Sequence, residues 1–213
     1  MKKTFLIWIP LLTLLTACSS LDVVQKDAVR AFGDVMEVLA AEEYAPNRWS
    51  LTAPDETAWF FFDNRSVGMA VDAAPFVAAG ADLSKLENAG EHTINPGKDS
   101  MYFSSPGFDM PNQNVKDSAI DQFAVNVGAL RKYVGYHAEM DHYNIDLNGA
   151  MFEWAKDITT NDKDIVFVLN PEPLIAAGVD PENVDGWLYA QVPVMQDGKE
   201  VQVYKFLKPV TLK

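Results

Sequence analysis

The sequence predicts an α+β protein built from two tandem related units, each a long helix packed on an antiparallel sheet. Three observations predict it. One segment is written twice, since Pro75/Pro173, Ala78/Ala176, Ala79/Ala177, Gly80/Gly178 and Asp82/Asp180 are identical between the two copies. Val67/Ile165, Val71/Leu169, Phe76/Leu174, Val77/Ile175 and Leu86/Val184 keep their apolar character around them. A helical apolar stripe precedes each copy, and short apolar or alternating runs with turn signals lie in between.

The first stripe is Val24, Ala28, Ala31, Phe32, Val35 and Leu39, which fall on one face at helical spacing. It predicts a helix over Leu21–Glu43. Ile120, Ala124, Val127, Leu130, Val134 and Ala138 repeat the pattern and predict a second helix over Lys116–Glu139. Paired strands follow each helix, Arg48–Thr52 with Thr57–Phe62, then Tyr143–Leu147 with Ala150–Ala155. Asn148-Gly149 joins the second pair and favours a type I′ hairpin, because both residues tolerate positive φ. Gly68–Asp72 and Asp164–Leu169 read as buried strands. The Pro-x-x-Ala-Ala-Gly segment after each is one helical turn, with Pro near its start and Gly at its C-cap. A long hairpin closes the second unit, Trp187–Met195 and Glu200–Leu207, turning at Asp197-Gly198. The first unit ends in a loop-rich stretch, Glu87–Asn114, with one strand at Asp99–Ser104.

The N-terminus sets the expected address. Lys2 and Lys3 precede an apolar run, Phe5–Leu15, too short to span a bilayer and suited to a secretory signal. The run ends in Leu15-Thr16-Ala17-Cys18, with Ser19 and Ser20 behind it. This resembles the lipobox of bacterial lipoproteins, and Cys18 is the one cysteine of the chain. The resemblance covers the export signal alone. It implies acylation of the Cys18 thiol, cleavage before it, and anchorage to the membrane through the N-terminal lipid. The expected organisation is a signal peptide over 1–17, a first repeat over 18–113 and a second over 114–213. The expected location is the cell envelope, at the outer membrane if the cell is Gram-negative, since Ser19 after the cysteine is compatible with that transfer.

Composition and motifs narrow the chemistry. Thirty Asp and Glu against seventeen Lys and Arg give a formal charge of −13, and no basic cluster is present to hold nucleic acid. A single cysteine excludes a disulfide framework or a Cys-rich zinc module. Catalytic and nucleotide-binding signatures are absent: no G-x-S-x-G, H-E-x-x-H, P-loop or G-x-G-x-x-G occurs. The densest set of possible metal ligands is His137-Ala-Glu139-Met-Asp141-His142. On a helix, His137 and His142 would point about 140° apart, so the segment reads as a solvated helix end. Asn144-Ile-Asp146-Leu-Asn148-Gly149 opens like a calcium loop, but its twelfth residue is Ala155 where that loop needs Glu. Asp82 and Asp180 read as turn or capping residues. No catalytic residue, metal site or cofactor is therefore expected.

The candidate binding surface is aromatic. Trp59-Phe60-Phe61-Phe62 makes both faces of one strand apolar, whereas Phe152-Glu153-Trp154 alternates in the ordinary way. One face of the aromatic strand can meet its own helix. The other needs the second repeat, another subunit or an apolar ligand. Tyr102 and Phe103 in the loop-rich stretch join this candidate surface. The expected function is a lipid-anchored, non-catalytic envelope protein with a binding or assembly role, its partner an envelope protein, a second copy or an apolar ligand. The alternative is a carrier that holds a small apolar molecule between helix and sheet.

Overall fold

The computed structural model describes residues 21–108, 118–159, 163–196 and 199–212. Cys18, with its leader, and the Asp197-Gly198 turn lie outside the described residues. The first half contains helix α1 (Val23–Val38), strands β1 (Glu42–Ala45), β2 (Arg48–Thr52), β3 (Ala58–Phe62) and β4 (Val67–Asp72), helix α2 (Ala74–Ala78), and strands β5 (Ala89–His92) and β6 (Asn95–Ser104). The second half repeats the order: α3 (Ala119–Ala129), β7 (Val134–His137), β8 (His142–Leu147), β9 (Ala150–Ala155), β10 (Ile165–Leu169), α4 (Pro171–Ala176), β11 (Leu188–Gln196) and β12 (Lys199–Pro209). Each half forms one six-stranded antiparallel sheet, in the order β1-β2-β3-β4-β6-β5 and β7-β8-β9-β10-β12-β11.

This corrects the expected class. The protein is mainly β, two curled sheets or half-barrels with four short α-helices among the described residues, and not a long helix on a sheet. The helical stripes overran the helices. Ala40 takes a left-handed φ of 49° just beyond the C-cap Leu39, and β1 starts two residues later. In the second half a 3-10 turn at Arg131–Tyr133 follows α3, and Val134 already belongs to β7. The loop-rich stretch likewise holds a β5–β6 hairpin.

The helix starts carry ordinary local signals. Asp22 and Gln25 form a capping box, and Ser118 caps α3 through the Asp121 amide. Helix α1 buries Ala28, Ala31, Phe32, Val35 and Met36, and α3 buries Phe123 and Val127. Between the two sheets these faces meet in one core. Phe32 stacks on Phe123 with ring centroids 3.6 Å apart, and Phe60 stacks on Phe152 at 4.4 Å. Trp154 closes the cluster edge-on to Phe32 and donates its indole N–H to the Ala28 carbonyl at 3.2 Å.

Polar contacts join the halves as well. Gln122 Nε2 and Asn126 Nδ2 of α3 both donate to the Asp63 carbonyl between β3 and β4, each at 2.9 Å. The repeated turns exchange backbone hydrogen bonds: Asp82 N–H donates to Ala177 O at 2.9 Å, and Asp180 N–H donates to Ala79 O at 2.8 Å. Asp82 and Asp180 then cap the 3-10 turns that follow, accepting from the Ser84 and Glu182 amides. The two turns thus contact each other reciprocally, each donating to the equivalent position of the other.

Candidate functional site

Matched strand registers allow the two sheets to be compared residue by residue. Phe61 pairs with Ser50 and Gly68, and Gly68 pairs with Ser104. In the second sheet Glu153 pairs with Asn144 and Val166, and Val166 pairs with Pro209. Glu153 therefore stands where the first sheet has Phe61, and Val166 stands where it has Gly68. All these residues project from the sheet face turned away from the shared core.

In the first half-barrel the middle of that face is filled, and a cavity of about 410 Å³ remains beside Trp59 and Ile94. Trp59, Phe61 and Ala70 form a small buried cluster, with Tyr44 and Ile94 packed against it. The ring of Phe61 lies in the space that a Cβ on Gly68 would need. His92 completes the layer, with its ring 5.5 Å from Phe61 and 4.4 Å from Tyr102. Burial, aided by the nearby Arg48 charge, pushes the His92 imidazole below its ordinary pKa.

The aromatic candidates therefore divide. Phe60 and Phe62 face the shared core, where they meet α1, α3 and the second sheet together. Trp59 and Phe61 face the other way, and Tyr102 joins them through His92. Phe103 leans on the main core, 3.6 Å from where a Cβ of Gly149 would be. These six residues do not form one surface.

In the second half-barrel the equivalent face is open. A groove of about 600 Å³ lies over it, with Val166, Leu188, Val192, Leu207, Pro209 and Ala155 as apolar walls. The sheet curls far enough that residues 136–140 and the β11–β12 arm share a smaller adjoining cavity of about 280 Å³. Glu153 and His142 form the polar part of the floor, only 7% and 8% exposed.

The floor has defined geometry. His137 and His142 face each other across the β7–β8 hairpin, and each presents Nδ1 to the Glu153 carboxylate, at 3.8 and 4.0 Å. The Asn144 side-chain nitrogen and His137 Nε2 lie 3.0 Å apart, which ties the His137 ring to β8 with its Nδ1 turned toward Glu153. Gly135 makes room for this contact, since a Cβ there would lie 2.9 Å from Asn144 Oδ1. Among the described residues His142 Nδ1 is buried without a hydrogen-bond partner, 4.0 Å from the Glu153 carboxylate. At the rim Asp164 accepts from the Thr159 amide and hydroxyl, both at 2.6 Å, and Asp141 accepts from the Tyr136 hydroxyl.

The helical reading of residues 137–142 is thereby corrected: the two histidines are cross-strand neighbours, not opposite sides of a helix end. Glu153 was missed because Phe152-Glu153-Trp154 reads as a strand with Glu turned to water. Setting the aromatic strand against β9 would have exposed the exchange of Phe61 for Glu153. Among the described residues no group of three or more His, Cys, Asp or Glu is placed to hold a metal ion, and no helix is long and apolar enough to cross a membrane. No family model, curated protein or solved structure matches the chain.

Proposed function

We propose that the chain is a lipid-anchored, non-catalytic binding protein of the cell envelope, and that it binds a small molecule inside its second half-barrel. The observation that carries this reading is the contrast between the two matched sheets. Phe61 fills the space over Gly68 in one interior, while the other leaves a groove of about 600 Å³ over buried Glu153 and over a His142 Nδ1 that is unpaired among the described residues. That volume lies within the range of about 300–1,000 Å³ typical of ligand pockets. The space between helices and sheets, by contrast, is occupied by Phe32, Phe60, Phe123 and Phe152. The lipobox resemblance at Cys18 supports the anchorage, at the outer membrane if the cell is Gram-negative.

Native mass spectrometry of the body from Ser19 onward, isolated from its own cell extract, tests the reading. The expected species is a monomer with stoichiometric extra mass. Glu153→Phe combined with Val166→Gly copies the first sheet's plug into the second and should remove that mass while the fold persists. Persistence of the mass in the plugged variant, or a bare dimer or protein complex in the native sample, would move binding to another surface.

A further inference from the structure

The geometry points to an amphipathic amine as the ligand class: an apolar body along Val166, Leu207, Leu188 and Val192, with a protonated amino group against Glu153 and His142. The inference rests on the groove being a binding site and adds what the groove selects.

The carboxylate decides the sign of the head group. Glu153 lies at the bottom of mostly apolar walls, 7% exposed, and no Lys or Arg makes a salt bridge to it among the described residues. A buried carboxylate is costly unless its oxygens are paired, and an ammonium donor pairs them with charge-assisted hydrogen bonds. His137 Nδ1 lies 3.8 Å from the carboxylate, too far for a hydrogen bond. His142 supplies the second partner. In the neutral tautomer protonated on Nε2, its Nδ1, unpartnered among the described residues, is an acceptor beside the carboxylate, and an ammonium carries enough protons to serve both.

The rest of the lining points the same way. Asp141, Glu153, Asp157 and Asp164 outnumber Lys156 and Lys163, on a chain whose formal charge is −13. An anionic head would meet this excess of carboxylates, whereas a cation is drawn in by it. An uncharged hydroxyl brings one proton and could satisfy Glu153 or His142, not both. The first half-barrel provides the internal contrast: where Phe61 replaces the carboxylate, Gly68 and His92 let aromatic rings fill the space.

Isothermal titration of the body from Ser19 onward, which carries every described element, with octylammonium, 1-octanol and octanoate at pH 7 tests the assignment. Octylammonium is expected to bind at least about tenfold more tightly than 1-octanol, with octanoate weakest. Glu153→Gln should bring octylammonium down to the level of 1-octanol. If thermal melts show that this variant does not fold, Glu153→Asp keeps the charge but withdraws it by one methylene, and should weaken octylammonium at least about threefold. Equal binding of octylammonium and 1-octanol, or preference for octanoate, would overturn the amine assignment while leaving the groove a binding site. Failure of all three probes would overturn the groove reading and the amine assignment together.

Discussion

The Cβ that Gly80 lacks would sit 2.8 Å from the carbonyl oxygen of Gly178, and the Cβ that Gly178 lacks would sit 2.8 Å from that of Gly80. Both glycines hold a left-handed φ, 104° and 109°. The repeated Ala-Ala-Gly turn is therefore the place where the two halves cross backbone to backbone. Its hydrogen bonds from Asp82 to Ala177 and from Asp180 to Ala79 require that approach.

Replacing either glycine with alanine should cost about 2–4 kcal/mol, because backbone strain at positive φ adds to displacement of the opposite carbonyl. Once one substitution has separated the turns, the second should cost less than the first, a non-additivity measurable by urea unfolding of the two single variants and the double. Gly33, in α1 with nothing near its absent Cβ, is the control: Gly33→Ala should gain about 0.5–1 kcal/mol. Additive losses at Gly80 and Gly178 would mean that the two turns do not act as one contact.

Lys208 is a buried ammonium, 6% exposed, bonded to the half-exposed Asp55 in the opposite half and lying 5.8 Å over the Trp187 ring. The two partners should respond unequally to mutation. Asp55→Asn strands a buried charge whose remaining acceptor is the Gly186 carbonyl at 3.4 Å, and should cost about 1.5–3 kcal/mol. Lys208→Met leaves a solvated carboxylate and keeps the apolar stem, so its cost should be smaller. At Asp55 burial alone would raise the pKa, but hydrogen bonds from Lys208 and Thr57 outweigh it and hold the carboxyl below its usual range. A depressed carboxyl stabilises the fold above the ordinary Asp pKa of about 4, and that contribution fades as pH falls through the lowered value. Stability curves of wild type and Asp55→Asn should accordingly converge at acid pH. A gap that stays constant down to pH 2 would assign the loss to packing.

Local chemistry was legible where one residue type answers one backbone demand. Asn148 and Gly149 hold φ of 30° and 98° in the β8–β9 hairpin, and the Pro-x-x-Ala-Ala-Gly segments are short helices. Periodicity misled where two elements shared a stripe. Val134 continues the spacing of α3 only by coincidence of count, since it lies on β7, and nothing in the residue itself marks Ala40 as the left-handed break after α1. The stripes do place Phe32 and Val127 on buried helix faces, but spacing alone does not say that Phe32 stacks on Phe123 across the halves. Glu153 was illegible for a different reason. Alternation along a strand says that two neighbours face opposite ways, but not whether the outward face is water or the inside of a curled sheet.

The shared core predicts that neither half is independent. Phe32 and Phe60 of the first half are fully buried, and each stacks on a ring of the second, Phe123 and Phe152. Removing residues 116–213 would leave those rings, with Phe62, on an open apolar face. A patch of that kind drives association, so the truncated chain should sediment as aggregates and show no cooperative unfolding. Within the intact chain, Phe60→Ala should cost about 3–5 kcal/mol, and Phe152→Ala should add much less after it, because the first deletion already removes the stack. A soluble, cooperatively folding fragment would show that the first sheet and α1 can bury their own aromatic face, and the stacks across the halves would then be a contact between two finished units.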